Sequence, residues 1–299
     1  MYVRASDIED LVRELCIKAA IELPGDVALA LLEASRKETS ALGREILGAL
    51  LKNAEFARER RIPICQDTGL TYVFLDVGRD VRIEGDLKEA VTRGVARGYQ
   101  EGYLRKSVVK DPLFHRENTG DNTPPVIHID IVPGSDVKVT VLPKGTGSEN
   151  MSAIKMLTPS AGPQGVMDFV LETVRQGGPN ACPPLVVGVG VGGMMDTAAF
   201  LAKKALLRPV GDSNPDPEIA SMERQLLTAI NNLGIGPGGF GGSTTALAVH
   251  IETYPTHIGA LPVAVNLQCH AARRATGVLR GAEKPCSKER DTGSSGTGL

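Results

Sequence analysis

A chain of 299 residues with 42% hydrophobic side chains can bury one large core or two modest ones. Its 33 basic and 35 acidic residues leave a formal net charge of -2 and are spread along the chain, which excludes the basic footprint of a nucleic-acid or acidic-membrane binder. The opening MYVRASDIEDLVREL lacks an apolar signal core, and no stretch nears the roughly 18 apolar residues of a membrane span, so a cytoplasmic location is expected.

Residues 6–60 read as helices. Ser6 and Glu9 fit a capping box, and Ile8, Leu11, Val12, Leu15, Cys16 and Ala19 form an apolar stripe at helical spacing, which makes Cys16 a core thiol. After residue 60 short β-rich runs alternate with helices. The runs are 71–77, 126–132, 137–142, 184–189, 245–251 and 262–267, each bounded by Gly, Pro or Asp. Helical segments are expected near 86–104, 163–176, 194–206 and 216–232. Runs 126–132 and 137–142 are close enough for a hairpin, and the other connections are helical crossovers. The expected fold class is therefore α+β (mixed α/β), an N-terminal helical segment followed by a mixed sheet with packed helices. His128 and His250 fall in strand runs and read as packed residues. There is no internal repeat. One domain over 1–281 and a disordered Gly/Ser-rich tail over 282–299 are expected.

The five cysteines, Cys16, Cys65, Cys182, Cys269 and Cys286, are odd in number and widely spaced, which argues against a disulfide framework. Glycine is concentrated in the connections PICQDTGL (63–70), RENTGDNTPP (116–125), PKGTGSEN (143–150), PNACPPLVVGVGVGG (179–193), GIGPGGFGG (234–242), ETYPTHIG (252–259) and NLQCHAARR (266–274). Backbone approaches something closely there. Cys65, Cys182 and Cys269 each lie in one of these loops, whereas Cys16 and Cys286 do not. Separations of 117 and 87 residues match no zinc knuckle or ferredoxin pattern, so buried or catalytic thiols remain the alternative to metal binding. Three thiolates would suit a cubane cluster with one iron left open as a Lewis acid. Gly188, Gly190 and Gly193 formally spell G-x-G-x-x-G, but the segment that follows, LLRPVGDSNPDPE, is no strand, so a dinucleotide loop is the weaker reading.

The blocks PICQDTG, ENTGDNTPP, KGTGSEN, NACPPLVVGVGVGG and GPGGFGGSTTALAVHIETYPTHIGALPVAVNLQCHAARR, in that order, resemble the alpha subunit of class I fumarate hydratases, with L-tartrate dehydratase alpha subunits as near relatives. The resemblance spans residues 5–280. It implies a 4Fe-4S cluster with one open iron, held by Cys65, Cys182 and Cys269. It also implies catalytic roles for Asp67 and His257, and substrate contacts from Gln66, Arg105 and Gly147. Each has an ordinary alternative: Asp67 as a turn residue, Arg105 as a charge on the helix end YLRKS, His257 as a solvated loop residue. Thr146 stands where the family usually has a third glycine. The family's general base comes from a second portion, here expected as a separate beta subunit in a dimer of alpha-beta pairs. The implied reaction is reversible hydration of fumarate to (S)-malate, with L-tartrate dehydration as the alternative. An iron-sulfur sensor without turnover and a nucleotide-dependent oxidoreductase are the readings from other classes.

Overall fold

The computed structural model describes residues 1–283, so Cys286 and the tail expectation from residue 284 onward lie outside the described residues. In chain order the strands are β1 (Tyr2–Arg4), β2 (Leu70–Gly78), β3 (Arg82–Glu84), β4 (Val126–Val132), β5 (Asp136–Lys144), β6 (Ala153–Leu157), β7 (Leu185–Gly192), β8 (Ala246–Tyr254), β9 (Leu261–Gln268) and β10 (Ala275–Arg280). The helices are α1 (Ala5–Ile21), α2 (Gly25–Lys37), α3 (Ala41–Arg60), α4 (Leu87–Glu101), α5 (Thr146–Glu149), α6 (Gly162–Gly177), α7 (Met195–Ala205) and α8 (Pro217–Asn231). No described helix is long and apolar enough to cross a membrane.

The fold is α+β, with three helices leading into strands and helices as expected, but the strands form two four-stranded mixed sheets, β10-β5-β2-β4 and β6-β9-β7-β8. The capping box at Ser6 and Glu9 is not formed. β1 pairs with β3 through Arg4, so the helix starts at once at Ala5, and Arg4 binds Asp7 at 2.9 Å. The expected hairpin is also absent. β2 lies between β4 and β5, parallel to the first and antiparallel to the second. Its core-facing Val73, Leu75 and Val77 are buried and need a strand on either side, whereas β4 carries exposed Ile129 and Ile131 and suits an edge. His128 then stacks on Phe74 at 5.1 Å and meets Phe200 of α7 at 4.7 Å.

Each sheet has its own core. The stripe Ile8, Val12, Leu15, Cys16 and Ala19 of α1 packs with Val91, Val95 and Tyr99 of α4 against Val73, Val139 and Val141. Burial pushes the Cys16 thiol up to about 12, which keeps it inert. On the second sheet Val166, Val170 and Val174 of α6 and Leu226 and Ile230 of α8 cover Val187, Val189, Val265 and Leu267. α7 lies on the opposite face. A Cβ at Gly188 would stand 2.2 Å from the Ala202 carbonyl oxygen, and one at Gly190 would stand 2.1 Å from that of Ala198. These two glycines let the helix rest directly on the strand. They sit inside β7 and form no dinucleotide loop.

The chain crosses between the sheets at one common edge. β5 runs through α5 into β6, and β9 returns through residues 269–274 into β10. Leu70 pairs with Lys144 and Val186 with Gln268, so the loops ahead of β2 and β7 lie beside those two crossings.

Glu38 clamps the helical segment to the glycine-rich loop ahead of β8. It is 2% exposed and accepts from the N–H groups of Ser40 (2.9 Å), Ser243 (2.8 Å) and Thr244 (2.8 Å), and from the Ser243 hydroxyl at 3.1 Å. Burial alone would raise its pKa, but these donors outweigh it and hold the carboxyl down to about 2. A carboxylate depressed on folding contributes stability above its ordinary 4.5 and loses it as pH falls toward 2. The contribution is about 3 kcal/mol. Thermal melts of Glu38→Gln should show a loss of that order at pH 7, and the variant's decline between pH 4.5 and 2 should be shallower than the wild type's by the same amount.

Candidate active site

Cys65, Gln66 and Asp67 precede β2, Cys182 precedes β7, and Cys269 follows β9. Backbone and side-chain bonds lace their loops together. His270 N donates to the Cys182 carbonyl at 3.1 Å, which joins the second and third cysteine loops. Arg273 Nη2 donates to the Asp67 carbonyl at 2.8 Å, joining the third to the first. Asp67 Oδ2 accepts from Thr146 N at 2.7 Å and Thr146 Oγ1 at 3.2 Å, and Oδ1 accepts from Gly69 N at 3.0 Å. Gly69 is at φ +79°, and a Cβ there would stand 2.7 Å from the Lys144 backbone, so only glycine permits this approach.

The three thiols are free, with Cys182 exposed and Cys65 and Cys269 half-buried. Burial raises the Cys182 thiol, and Cys269 and Cys65 raise it further, so both lie within electrostatic reach of Cys182. Cys65 Sγ donates to Gln66 Oε1 at 3.3 Å, and Cys269 packs against the cluster of Ala57, Ile64 and Ala271. Among the described residues no three His, Cys, Asp or Glu side chains form a set that would hold a single metal ion. Ligands of one ion at about 2.3 Å stand within about 4.6 Å of each other, a limit that does not bind thiolates carried by different irons of a cluster. A donor set of three soft thiolates, with no carboxylate or imidazole completing a mononuclear site, fits an iron-sulfur cluster.

The other sequence candidates fall in different places. Gln66 and Gly147 are exposed beside the thiol loops, and nothing lies within 4 Å of a Cβ built on Gly147. Asp67 is engaged by three donors and acts here as the fastening of the Gly145–Gly147 turn. Arg105 is not on a helix end: α4 stops at Glu101, and Tyr103 at φ +52° turns the chain away. Its carbonyl accepts from Thr68 Oγ1 at 2.7 Å, which seats Arg105 beside the first cysteine loop, and its guanidinium makes no ion pair among the described residues. His257 is not brought to the thiol loops. It lies in the β8–β9 turn, where its Nδ1 accepts from Gly259 N at 3.1 Å. The eight residues of β9 separate that turn from Cys269, a span of roughly 25 Å at the strand rise.

Sequence reasoning missed a buried charge cluster at the first crossing. Lys144 and Lys203 are 1% and 5% exposed. Glu149 receives Lys203 at 2.5 Å, Lys144 at 3.1 Å and Asn266 Nδ2 at 3.0 Å. Burial lowers both lysines, Lys203 to about 8, while burial of Glu149 is outweighed by the two ammonium groups and its pKa falls. The cluster borders a cavity of about 430 Å³ between the sheets that also takes in Tyr72, His128 and Phe200. Lys144, the first residue of KGTGSEN, was the legible hint. Lys203 was hidden in an ordinary helix.

The fold and site thus define an α+β protein that gathers three free thiols and several cations where its two sheets meet. Residues 9–278 match the sequence model of the family described as fumarate hydratase (Fumerase), and the chain belongs to that family. It is 46% identical over 274 residues to a putative L(+)-tartrate dehydratase subunit alpha of Methanocaldococcus jannaschii, covering 90% of this chain and 96% of that one. It is 36% identical over 273 residues to the L(+)-tartrate dehydratase subunit alpha of Escherichia coli strain UTI89, covering 90% and 89%. The same subunit of strain K12 is 35% identical over the same length.

Removing the Glu149 charge should leave two buried ammonium groups without a counter-ion. Glu149→Gln is expected to lower stability by roughly 3 kcal/mol at neutral pH. Denaturant melts across pH should show the deficit shrinking as the lysines neutralise, beginning near pH 8 where burial places Lys203.

Proposed function

We propose that this chain is the alpha subunit of a hydro-lyase that adds or removes water across the double bond of a four-carbon dicarboxylate, with Cys65, Cys182 and Cys269 holding a 4Fe-4S cluster. The observation that carries this reading is the lacing of three free thiols into one loop assembly, in a chain of the fumarate hydratase family. When bound, a cluster with one iron free of cysteine supplies a Lewis acid for the hydroxyl that is added or lost.

The chain's own residues bind and orient. Arg105, exposed and without an ion-pair partner among the described residues, offers its forked donors to a substrate carboxylate. Gln66 and the backbone of Gly147 flank the same loops and supply polar contacts for the rest of the dicarboxylate. Asp67 holds Thr146, and hence Gly147, against the first cysteine loop, and so fixes the distance between these contacts. His257 enters this reading only through a second chain, because its own thiol loops are a strand's length away. The proton at the neighbouring carbon is taken by a base from a beta subunit, in a dimer of alpha-beta pairs. The alpha-subunit designation of the relatives supports such a partner. So does the loop after α4, which carries Arg105 and presents Tyr103 (93% exposed), Leu113 (75%) and Phe114 (84%).

Fumarate and malate are favoured by the SENMS stretch after the glycine loop, which resembles that of fumarases, whereas the names of the relatives favour L-tartrate equally. The chain reconstituted anaerobically with a candidate beta subunit should turn over at least one of malate and tartrate. The isolated chain should be slower by about 10²- to 10⁴-fold, the usual cost of a missing acid or base. A cluster spectrum indifferent to both acids, with no turnover of either, would instead favour a sensor. Cysteine-to-serine changes at Cys65, Cys182 or Cys269 should each abolish retention of the iron measured per chain after desalting, and Cys16→Ser should leave it unchanged.

A further inference from the structure

Arg273 is 1% exposed, yet only one of its guanidinium nitrogens is satisfied. Nη2 donates to the Asp67 carbonyl at 2.8 Å, while Nε and Nη1 are buried with no partner among the described residues. Two other arginines also leave a nitrogen unpaired, but each of them holds a carboxylate, Arg13 with Glu101 and Arg208 with Glu223. Arg273 has two idle donors and, among the described residues, no ion pair; the Asp67 carboxylate, which flanks Gly145 together with Nη2, is taken up by Thr146 and Gly69 instead. A buried, uncompensated cation is among the costliest arrangements a fold can hold, so the observation calls for an anionic acceptor.

The surroundings narrow what that acceptor can be. Arg273 follows Cys269 by four residues on the link to β10, and its satisfied nitrogen rests on the residue two beyond Cys65. Lys144 senses both Cys269 and Arg273, which places two cations beside the thiol loops. The Gln268 Oε1 acceptor is buried nearby and is itself unpartnered, so the idle donors are not turned to it. Three thiolates with the inorganic sulfides of a cluster would bring net negative charge and sulfur acceptors to this point.

We propose that Arg273 is a positioning residue for the cluster, its Nε–H and Nη1–H donating to sulfurs of the group that Cys65, Cys182 and Cys269 hold; this rests on the cluster reading above. One side chain then does two things. It ties the third cysteine loop to the first, and it stabilises the charge that builds on the cluster when an electron is added, which raises the reduction potential.

The test uses the full chain, reconstituted anaerobically, as wild type, Arg273→Met and Arg273→Lys. Without iron, Arg273→Met should melt at or above the wild-type temperature, because it removes a buried cation that has no counter-ion. With iron, it should release the metal to a chelator about tenfold faster, and its potential, read by EPR-monitored titration, should move to a more negative value. Arg273→Lys keeps the charge without the fork and should fall between the two. An iron-free Arg273→Met that melts far below wild type or does not fold would make Arg273 a fold staple and overturn the proposal. Loaded variants that match wild type in potential and release rate would do the same and leave the cluster reading standing. A folded wild-type chain that takes up no iron would overturn both.

Discussion

Everything at the candidate site depends on the chain passing between two sheets twice at the same edge. The first passage, from β5 to β6, carries Lys144, the Gly145–Gly147 turn and Glu149. The second, from β9 to β10, carries Cys269 and Arg273. Because β2 runs antiparallel to β5 and β7 antiparallel to β9, the loops that introduce β2 and β7 are delivered to this edge by pairing register alone. Cys65 and Cys182 therefore arrive beside Cys269 without any local sequence relation among the three. Two contacts then fix the spacing, Asp67 on Thr146 and Arg273 on the Asp67 carbonyl.

The edge is also where the protein concentrates cations inside. Lys144, Lys203 and Arg273 are all buried, and Glu149 is the carboxylate that compensates the two lysines. Negative charge from a ligand or cofactor would lower the cost of such a surplus, since the penalty for buried charge is several kcal/mol. A thiolate-held cluster together with a dicarboxylate would supply it. The same field suits anion capture in a chain whose overall charge is nearly neutral.

Much of this was legible in the residues. The apolar stripe of α1 and the β-branched density of β2, β5, β7, β8 and β9 fixed those elements, because burial on one or both faces leaves a strong periodic pattern. The three cysteines stood out by their glycine-rich company. Long-range pairing was hidden. A short link between 132 and 137 suggested a hairpin, but the largely buried β2 required neighbours on both sides. β6 and β10 are short edge strands with exposed residues, too weak a pattern to read. Lys203 looks like any helix lysine and is buried because small residues, Ala198, Ala202 and Ala264, let α7 lie tight on the sheet. His257 was selected by resemblance, which carries no information about which end of a strand a turn occupies.

The central claim is that three thiols from three loops hold one cluster whose remaining iron meets the substrate. Mössbauer spectroscopy of the chain reconstituted with ⁵⁷Fe and its beta subunit, before and after addition of malate or tartrate, tests it most directly. The account predicts one iron site distinct from the other three, with only that site responding to one of the acids. Iron in a mononuclear site, or a cluster in which no single iron responds to either acid, would contradict it.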